Sequence, residues 1–166
     1  MLRRTTIALA GAGTLVLLPA GALAARVLVD HGHGPTVVHN TTYADIETQV
    51  HSWTRDGSTH VRLMVDGLPP GQTFGAHVHT RSCGTDPLAS GGHYQHSTDA
   101  SIPLSEREIW LDVTAGDDGH ASARRTVDWV IAAGTAGSVV IHASPTNPTT
   151  GAAGARLACT DVAFGQ

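Results

Sequence analysis

Apolar and polar residues alternate over short segments of this chain, and turn residues separate the segments. The pattern predicts seven strands, over residues 45–53, 59–65, 75–80, 108–114, 121–127, 138–142 and 156–163. The breaks are rich in Gly, Pro and Asp, which are typical of tight turns. No window has a convincing helical period. Seven or eight short strands joined by such turns predict one all-β domain, an antiparallel sandwich or barrel.

The first 24 residues have the three parts of an export signal. A pair of arginines begins the chain, an uncharged and largely apolar run follows, and Ala22-Leu23-Ala24 supplies the small residues of a cleavage site. The alternative is an uncleaved membrane anchor, which a proline before the cleavage site disfavours. We therefore expect export to the periplasm, cell envelope or exterior. A lead-in over residues 25–35 and one domain over residues 36–166 would follow the signal.

Charge and cysteine content narrow the possible partners. The chain of 166 residues has 10 basic side chains, all arginine, against 14 acidic ones. Removal of the signal takes away two arginines and no acid, which changes the net charge from −4 to −6. Such a chain has no basic face for nucleic acid, and we expect no stable membrane partner once the signal is removed. In an oxidising compartment Cys83 and Cys159 most simply form one disulfide, and two free thiols are the alternative.

Histidine is unusually frequent, with 11 copies. His77 and His79 lie two apart on a predicted strand, so their side chains share one face about 6.5 Å apart along the chain. Two imidazoles at this spacing can converge on one metal ion, although a pair of exposed strand histidines has the same pattern. His31, His33 and His39 near the mature N-terminus are expected to form a polar tail, with loose capture of the metal ion as the alternative.

Several weak signals follow His77-Val78-His79 in a defined order. They are Cys83, Gly91-Gly92-His93, Val139-Val140-Ile141-His142 and Gly154-Ala155-Arg156-Leu157-Ala158-Cys159. In this order they resemble the copper/zinc superoxide dismutase family. The resemblance runs from about Thr59 to the C-terminus, and more faintly back to about Thr36.

This resemblance implies both a fold and an activity. The fold would be an eight-stranded Greek-key β-barrel or sandwich, immunoglobulin-like, with long metal-site loops. The activity would convert two superoxide anions and two protons into O₂ and hydrogen peroxide, with copper cycling between Cu(II) and Cu(I). The implied copper ligands are His77, His79, His93 and His142, and imidazole ligation suits copper.

The resemblance also assigns roles outside the ligand set. It implies a disulfide between Cys83 and Cys159. Arg156 matches the family's active-site arginine, whose permanent charge would hold the superoxide anion. His93 would release reduced copper, take up a proton and pass it to the product. Arg156 and His93 are therefore the expected catalytic residues.

The main departure from the family pattern is that the residues of the zinc site are missing. Between His93 and Thr114 the sequence contains only one further histidine, His96, and the available carboxylates are Asp99, Glu106, Glu108 and Asp112. The family's zinc site of three histidines and an aspartate cannot be built from these residues, so we expect a copper-only variant. Another residue must then orient the far nitrogen of His93. Glu108 and Asp112 are the candidates, with exposed strand carboxylates as the alternative, and His96 is a further candidate neighbour.

A second departure keeps a non-enzymatic function open. The loop of residues 143–155 is shorter than in zinc-containing members and has no charged residue. Long-range attraction of an anion should therefore be weak. A copper buffer or carrier on the same fold is the main alternative to the enzyme, and a metal-free structural domain is a third. Retention of four ligands together with Arg156 favours the enzyme, because a buffer needs no residue that holds an anion.

Overall fold

A computed structural model describes residues 33–165, and nine strands make up most of its regular structure. They are β1 His33–Val38, β2 Glu47–Arg55, β3 Ser58–Asp66, β4 Thr73–Phe74, β5 Ala76–His79, β6 Val113–Thr114, β7 Ala121–Val127, β8 Ser138–His142 and β9 Arg156–Val162. One short helix, α1 Leu104–Arg107, and the 3₁₀ turns Thr41–Tyr43 and Pro87–Ser90 complete it. None of the helices in residues 33–165 is long and apolar enough to cross a membrane.

The strands form three antiparallel sheets around one core. The largest has the order β1-β9-β8-β5, the second β2-β3-β7, and the third pairs β4 with β6. Alternate residues of β2 and β3 face inward, and the core they share with the larger sheet includes Val50, Val61, Leu63, Val78, Val139 and Ile141. The predicted all-β class is confirmed. The described sheets do not close into a barrel, so the structure agrees with the sandwich form of the prediction.

Two predicted segments differ from the structure by more than the one or two residues seen at the ends of the other predicted strands. Strand β1 begins at His33, so the last three residues of the predicted lead-in, 33–35, belong to the sheet and pair towards β9. The predicted strand 108–114 is a strand only at Val113–Thr114. Before that point the chain makes single bridges, from Glu108 to Gln95 and from Trp110 to His77, because it crosses two different segments in turn. The predicted export signal, residues 1–24, lies outside the described residues.

Strands β5 and β8 carry three of the predicted copper ligands, His77, His79 and His142, and both strands are buried on both faces. All four residues of β5 and all five of β8 are buried. Ala76 and Val78 belong to the core, so His77 and His79 point to the opposite face of the sheet. Loops cover that face, which explains why these polar residues have no exposed area. Burial on both faces is what gives a near-continuous apolar segment such as Val139-Val140-Ile141.

Candidate metal and anion site

Four histidines from three parts of the chain converge on one point. His77 and His79 come from β5, His142 ends β8, and His93 lies in the connection after the 3₁₀ turn Pro87–Ser90. A backbone bridge between His79 and His93 brings that connection against the strand. One nitrogen of each ring lies within 4.8 Å of the others. It is the one group of three or more metal-ligating side chains that the described residues contain.

Backbone carbonyls orient two of the rings. The Nδ1 of His79 donates to Gly91 O at 3.0 Å, and the Nδ1 of His142 donates to Gly154 O at 3.3 Å. The Nε2 atoms of these two rings are then free of protons, and they face each other at 3.3 Å. Gly91 and Gly154 have φ of +74° and +78°, a conformation that favours glycine and turns each carbonyl towards its histidine.

Side chains orient the other two rings. The Nδ1 of His93 lies 2.9 Å from Glu108 Oε2, so its Nε2 remains as the ligand atom. His77 has the opposite arrangement, because its Nε2 lies 2.7 Å from Thr146 Oγ1. The Nδ1 of His77 is buried and has no hydrogen-bond partner. An unpaired buried nitrogen is costly unless a ligand satisfies it, and four imidazole nitrogens, three Nε2 and one Nδ1, make a donor set suited to a transition-metal ion.

The surroundings of the cluster favour neutral imidazoles, which are the form that binds metals. Burial, together with the neighbouring His93, His142 and His79, lowers the pKa of His77 to about 2. Burial likewise lowers the pKa of His79 to about 3 and that of His142 to about 4. These three rings are therefore uncharged at neutral pH, so a metal ion does not have to displace protons from them.

The lowered pKa values predict that acid destabilises the metal-free protein. Below the ordinary histidine pKa of 6.5, the unfolded chain binds protons that the folded cluster does not. The free energy of unfolding should therefore fall as the pH is lowered from about 7 to about 4. Each unit of pKa difference contributes about 1.4 kcal/mol, so we expect a total loss of several kcal/mol. Urea unfolding in the presence of a chelator measures this loss, and equal stability at about pH 7 and pH 5 would contradict the prediction.

Glu108 is a buried carboxylate that lies behind His93 and accepts three hydrogen bonds. Its side chain is 3% exposed and accepts hydrogen bonds from His93, from Gln95 Nε2 at 2.8 Å and from Trp110 Nε1 at 2.7 Å. Burial raises the pKa of this carboxyl, but the three donors outweigh it and the pKa lies below its usual range. The structure thus places Glu108, rather than Asp112, against the far nitrogen of His93.

The other residues considered for that position lie elsewhere. Asp112 accepts hydrogen bonds from Thr146, which contacts His77 and not His93. The ring of His96 stacks on Trp129 with 4.5 Å between centroids, because the chain after Tyr94 turns its alternate side chains away from the cluster. No contact of His96 with His93 accompanies this stack. Asp99 is occupied by the backbone and hydroxyl of Ser101.

Arg156 closes one side of the opening to the cluster. Its Nη1 donates to Pro87 O at 2.8 Å and to Ser90 Oγ at 2.9 Å, and its Nη2 donates to Gly91 O at 2.6 Å. Two of its five N–H groups remain after these bonds. Burial lowers the pKa of the guanidinium, which nevertheless stays charged at neutral pH.

An open cavity of about 730 Å³ leads to the cluster. His93, His142 and Arg156 line it, together with the largely apolar wall Pro87, Leu88, Ala152, Ala153 and Ala155. His39 also lines it, so the residue expected in a polar tail is part of the cavity wall. Sequence reasoning missed this position because His39 is brought here by a hydrogen bond from its N–H to Leu157 O, at the end of the β1–β9 pairing.

A disulfide joins Cys83 to Cys159 and ties the cavity wall to the sheet. Cys83 precedes the turn that carries Pro87 and Ser90, and Cys159 lies on β9 three residues after Arg156. The disulfide thus links β9, which carries Arg156, to the segment that carries Pro87 and Ser90, two of the residues that accept hydrogen bonds from its guanidinium. The N–H of Cys83 also donates to Asp161 on β9 at 2.7 Å, which holds the same two segments together.

Comparisons with known proteins agree with this fold and cluster. Residues 47–162 match the sequence model of copper/zinc superoxide dismutase (SODC). A search of curated proteins finds no match. Among solved structures, a SOD-like protein from Bacillus subtilis aligns with a TM-score of 0.62 at 15% identity, covering 80% of this chain and 99% of that one. The clock protein EA4 aligns with a TM-score of 0.57 at 22% identity, covering 81% and 95%. At these identities the structural likeness shows the fold alone.

Proposed function

This chain belongs to the copper/zinc superoxide dismutase family, and we propose that it is an exported, copper-dependent superoxide dismutase. It would convert two superoxide anions and two protons into O₂ and hydrogen peroxide. The observation that carries the proposal is the four-histidine cluster at the base of an open cavity that Arg156 also lines. His77 through Nδ1 and His79, His93 and His142 through Nε2 would hold copper, which would supply one-electron redox chemistry.

Arg156 and His93 are the proposed catalytic residues. The remaining N–H groups of Arg156 would hold the superoxide anion through charge-assisted hydrogen bonds. His93 is the most exposed ring of the cluster, with 19% of its side chain accessible, and it lines the cavity. Because Glu108 accepts from Nδ1, Nε2 is the atom of His93 that would carry the transferred proton. His93 is therefore suited to hand a proton to the peroxide product.

We also propose that the protein is copper-only. In a two-metal site the Nδ1 of His93 would be a zinc ligand, and here Glu108 accepts the hydrogen bond from that atom. Glu108 has three donors around it and is buried, so it supports His93 without a second ion. Metal analysis of purified protein should find one copper and no stoichiometric zinc per chain. One tightly bound zinc alongside copper would contradict this part of the proposal.

The location rests on the disulfide and on the N-terminal pattern. A Cys83–Cys159 bridge is typical of oxidising compartments outside the cytoplasm. We propose cleavage of the signal over residues 1–24 and release into the periplasm, envelope or exterior. Mass spectrometry of the mature protein would test the cleavage site.

A non-enzymatic copper-binding protein is the second candidate, and one observation favours it. The mouth of the cavity is largely apolar, and the loop of residues 143–155 contributes no charge to it. A buffer or carrier would need the four histidines but no anion-holding group. The two functions therefore differ in what they require of Arg156.

Substitution of Arg156 is expected to separate dismutation from copper binding. Arg156→Ala should retain one copper per chain, because the guanidinium contacts no cluster nitrogen, while dismutation should fall roughly 100-fold. Stopped-flow decay of superoxide and metal analysis on the same samples measure the two effects. Arg62→Ala, on the exposed face of β3, is the matched control and should change neither. A copper-loaded wild type without activity would favour the carrier.

A further inference from the structure

Thr146 connects the uncharged loop of residues 143–155 to the cluster. Its Oγ1 lies 2.7 Å from His77 Nε2 and 2.5 Å from Asp112 Oδ1. The Thr146 N–H also donates to Asp112 Oδ2, at 2.8 Å. Both oxygens of one carboxylate therefore hold a single loop residue, through its main chain and through its side chain. The neighbouring Ser144 accepts from the N–H of Gly75 at 2.8 Å, which fixes the loop against the start of β5.

The chemistry of the three groups determines the direction of these hydrogen bonds. An ionised carboxylate only accepts, and a threonine hydroxyl has one proton to donate. At 2.5 Å from Asp112, the hydroxyl proton of Thr146 is directed to the carboxylate. The Oγ1 can then only accept from His77, so the proton of the His77 ring must be on Nε2. A hydroxyl without such a carboxylate could donate to His77 as well as accept from it.

We infer that Thr146 and Asp112 are positioning residues that select Nδ1 of His77 as the metal-binding nitrogen. The other three rings are oriented by groups that only accept, the carbonyls of Gly91 and Gly154 and the carboxylate of Glu108. His77 alone depends on a hydroxyl, which Asp112 makes a dedicated acceptor. The buried and unpaired Nδ1 of His77 is the outcome of this arrangement. The inference rests on the proposed metal binding but not on dismutation.

The shortened loop therefore acts on the cluster through orientation and not through charge. Asp112 is exposed and His77 is fully buried, so the hydroxyl of Thr146 connects a surface carboxylate to an interior ring through two hydrogen bonds. Removal of the hydroxyl would leave His77 Nε2 without its partner. Both ring tautomers would then become accessible, and the unproductive one carries a proton on the ligand atom.

The test compares Thr146→Val, Thr146→Ser and the wild type, first without metal. Nitrogen-15 NMR of the metal-free protein should show His77 with its proton on Nε2 in the wild type and in Thr146→Ser. In Thr146→Val it should show a mixture of tautomers. Copper(II) affinity, measured by competition with a chelator, should fall roughly 10- to 100-fold in Thr146→Val. Thr146→Ser should restore it to within about threefold of the wild type.

Thr149→Val is the matched control, because Thr149 lies in the same loop and its N–H donates to Asn147 without contact to the cluster. It should leave both the tautomer and the affinity unchanged. A Thr146→Val protein with a fixed Nε2–H tautomer and wild-type affinity would overturn the inference. Neither readout uses superoxide, so a protein that binds copper in this way without dismuting superoxide would contradict the proposed enzyme and leave the inference intact.

Discussion

Replacement of His142 by alanine is expected to abolish tight copper binding and, with it, dismutation. His142 is 4% exposed, and its Nε2 lies 3.3 Å from that of His79, so its removal leaves the cluster with three imidazoles. We expect loss of one of four ligands to weaken copper binding by at least roughly 100-fold, which is about 2.7 kcal/mol. Copper retained after dialysis against a chelator, followed by superoxide decay, measures both effects.

His96→Ala is the control for this experiment. It removes an imidazole three positions from His93, yet its ring stacks on Trp129 and lies outside the four-histidine group. The variant should therefore keep its copper and its activity. Equal copper loss in His142→Ala and His96→Ala would mean that histidine content, and not this cluster, determines binding. The proposed site would then be wrong.

Alternation along the chain was sufficient to predict the sheet that lies far from the cluster. Strands β2, β3 and β7 have one inward and one outward face, so their period of two is visible in the sequence. The segment 108–114 has the same alternation but follows a different path. Glu108 makes its bridge to one segment of the site and Trp110 makes its bridge to another. The alternation of segment 108–114 by itself cannot show that it pairs with two different segments. Helix α1 has four residues, too few to show a helical period.

The order of motifs predicted which histidines would meet, but the supporting contacts needed three-dimensional structure. His77, His79, His93 and His142 were all identified because each stands in a short recognisable pattern. The sequence left Glu108 and Asp112 as equivalent candidates behind His93. They are four residues apart on an irregular segment, and Trp110 and Gln95 direct only Glu108 towards His93. Thr146 has no local signal, because its role depends on a loop crossing over β5.

Removal of the disulfide is expected to cause the largest loss of stability. The double variant Cys83→Ser, Cys159→Ala opens a bridge between residues 76 positions apart. In the chain-entropy model a loop of this length contributes about 4–5 kcal/mol. For a domain of this size that corresponds to a decrease in Tm of roughly 10–20 °C. Alanine is used at Cys159 because this residue is 1% exposed and a serine hydroxyl would be buried without a partner.

Loss of the bridge should also affect the cavity beyond its effect on overall stability. Pro87 and Ser90 lie just after Cys83, and both accept from Arg156, so freeing this segment should loosen the guanidinium. Dismutation should therefore fall at temperatures where the variant is still folded, while copper stays bound to the four histidines.

Chemical unfolding of both metal-free proteins, with and without reductant, provides the control. Reductant should lower the stability of the wild type towards that of the variant and leave the variant unchanged. A decrease below about 1 kcal/mol would contradict the contribution expected from the closed loop.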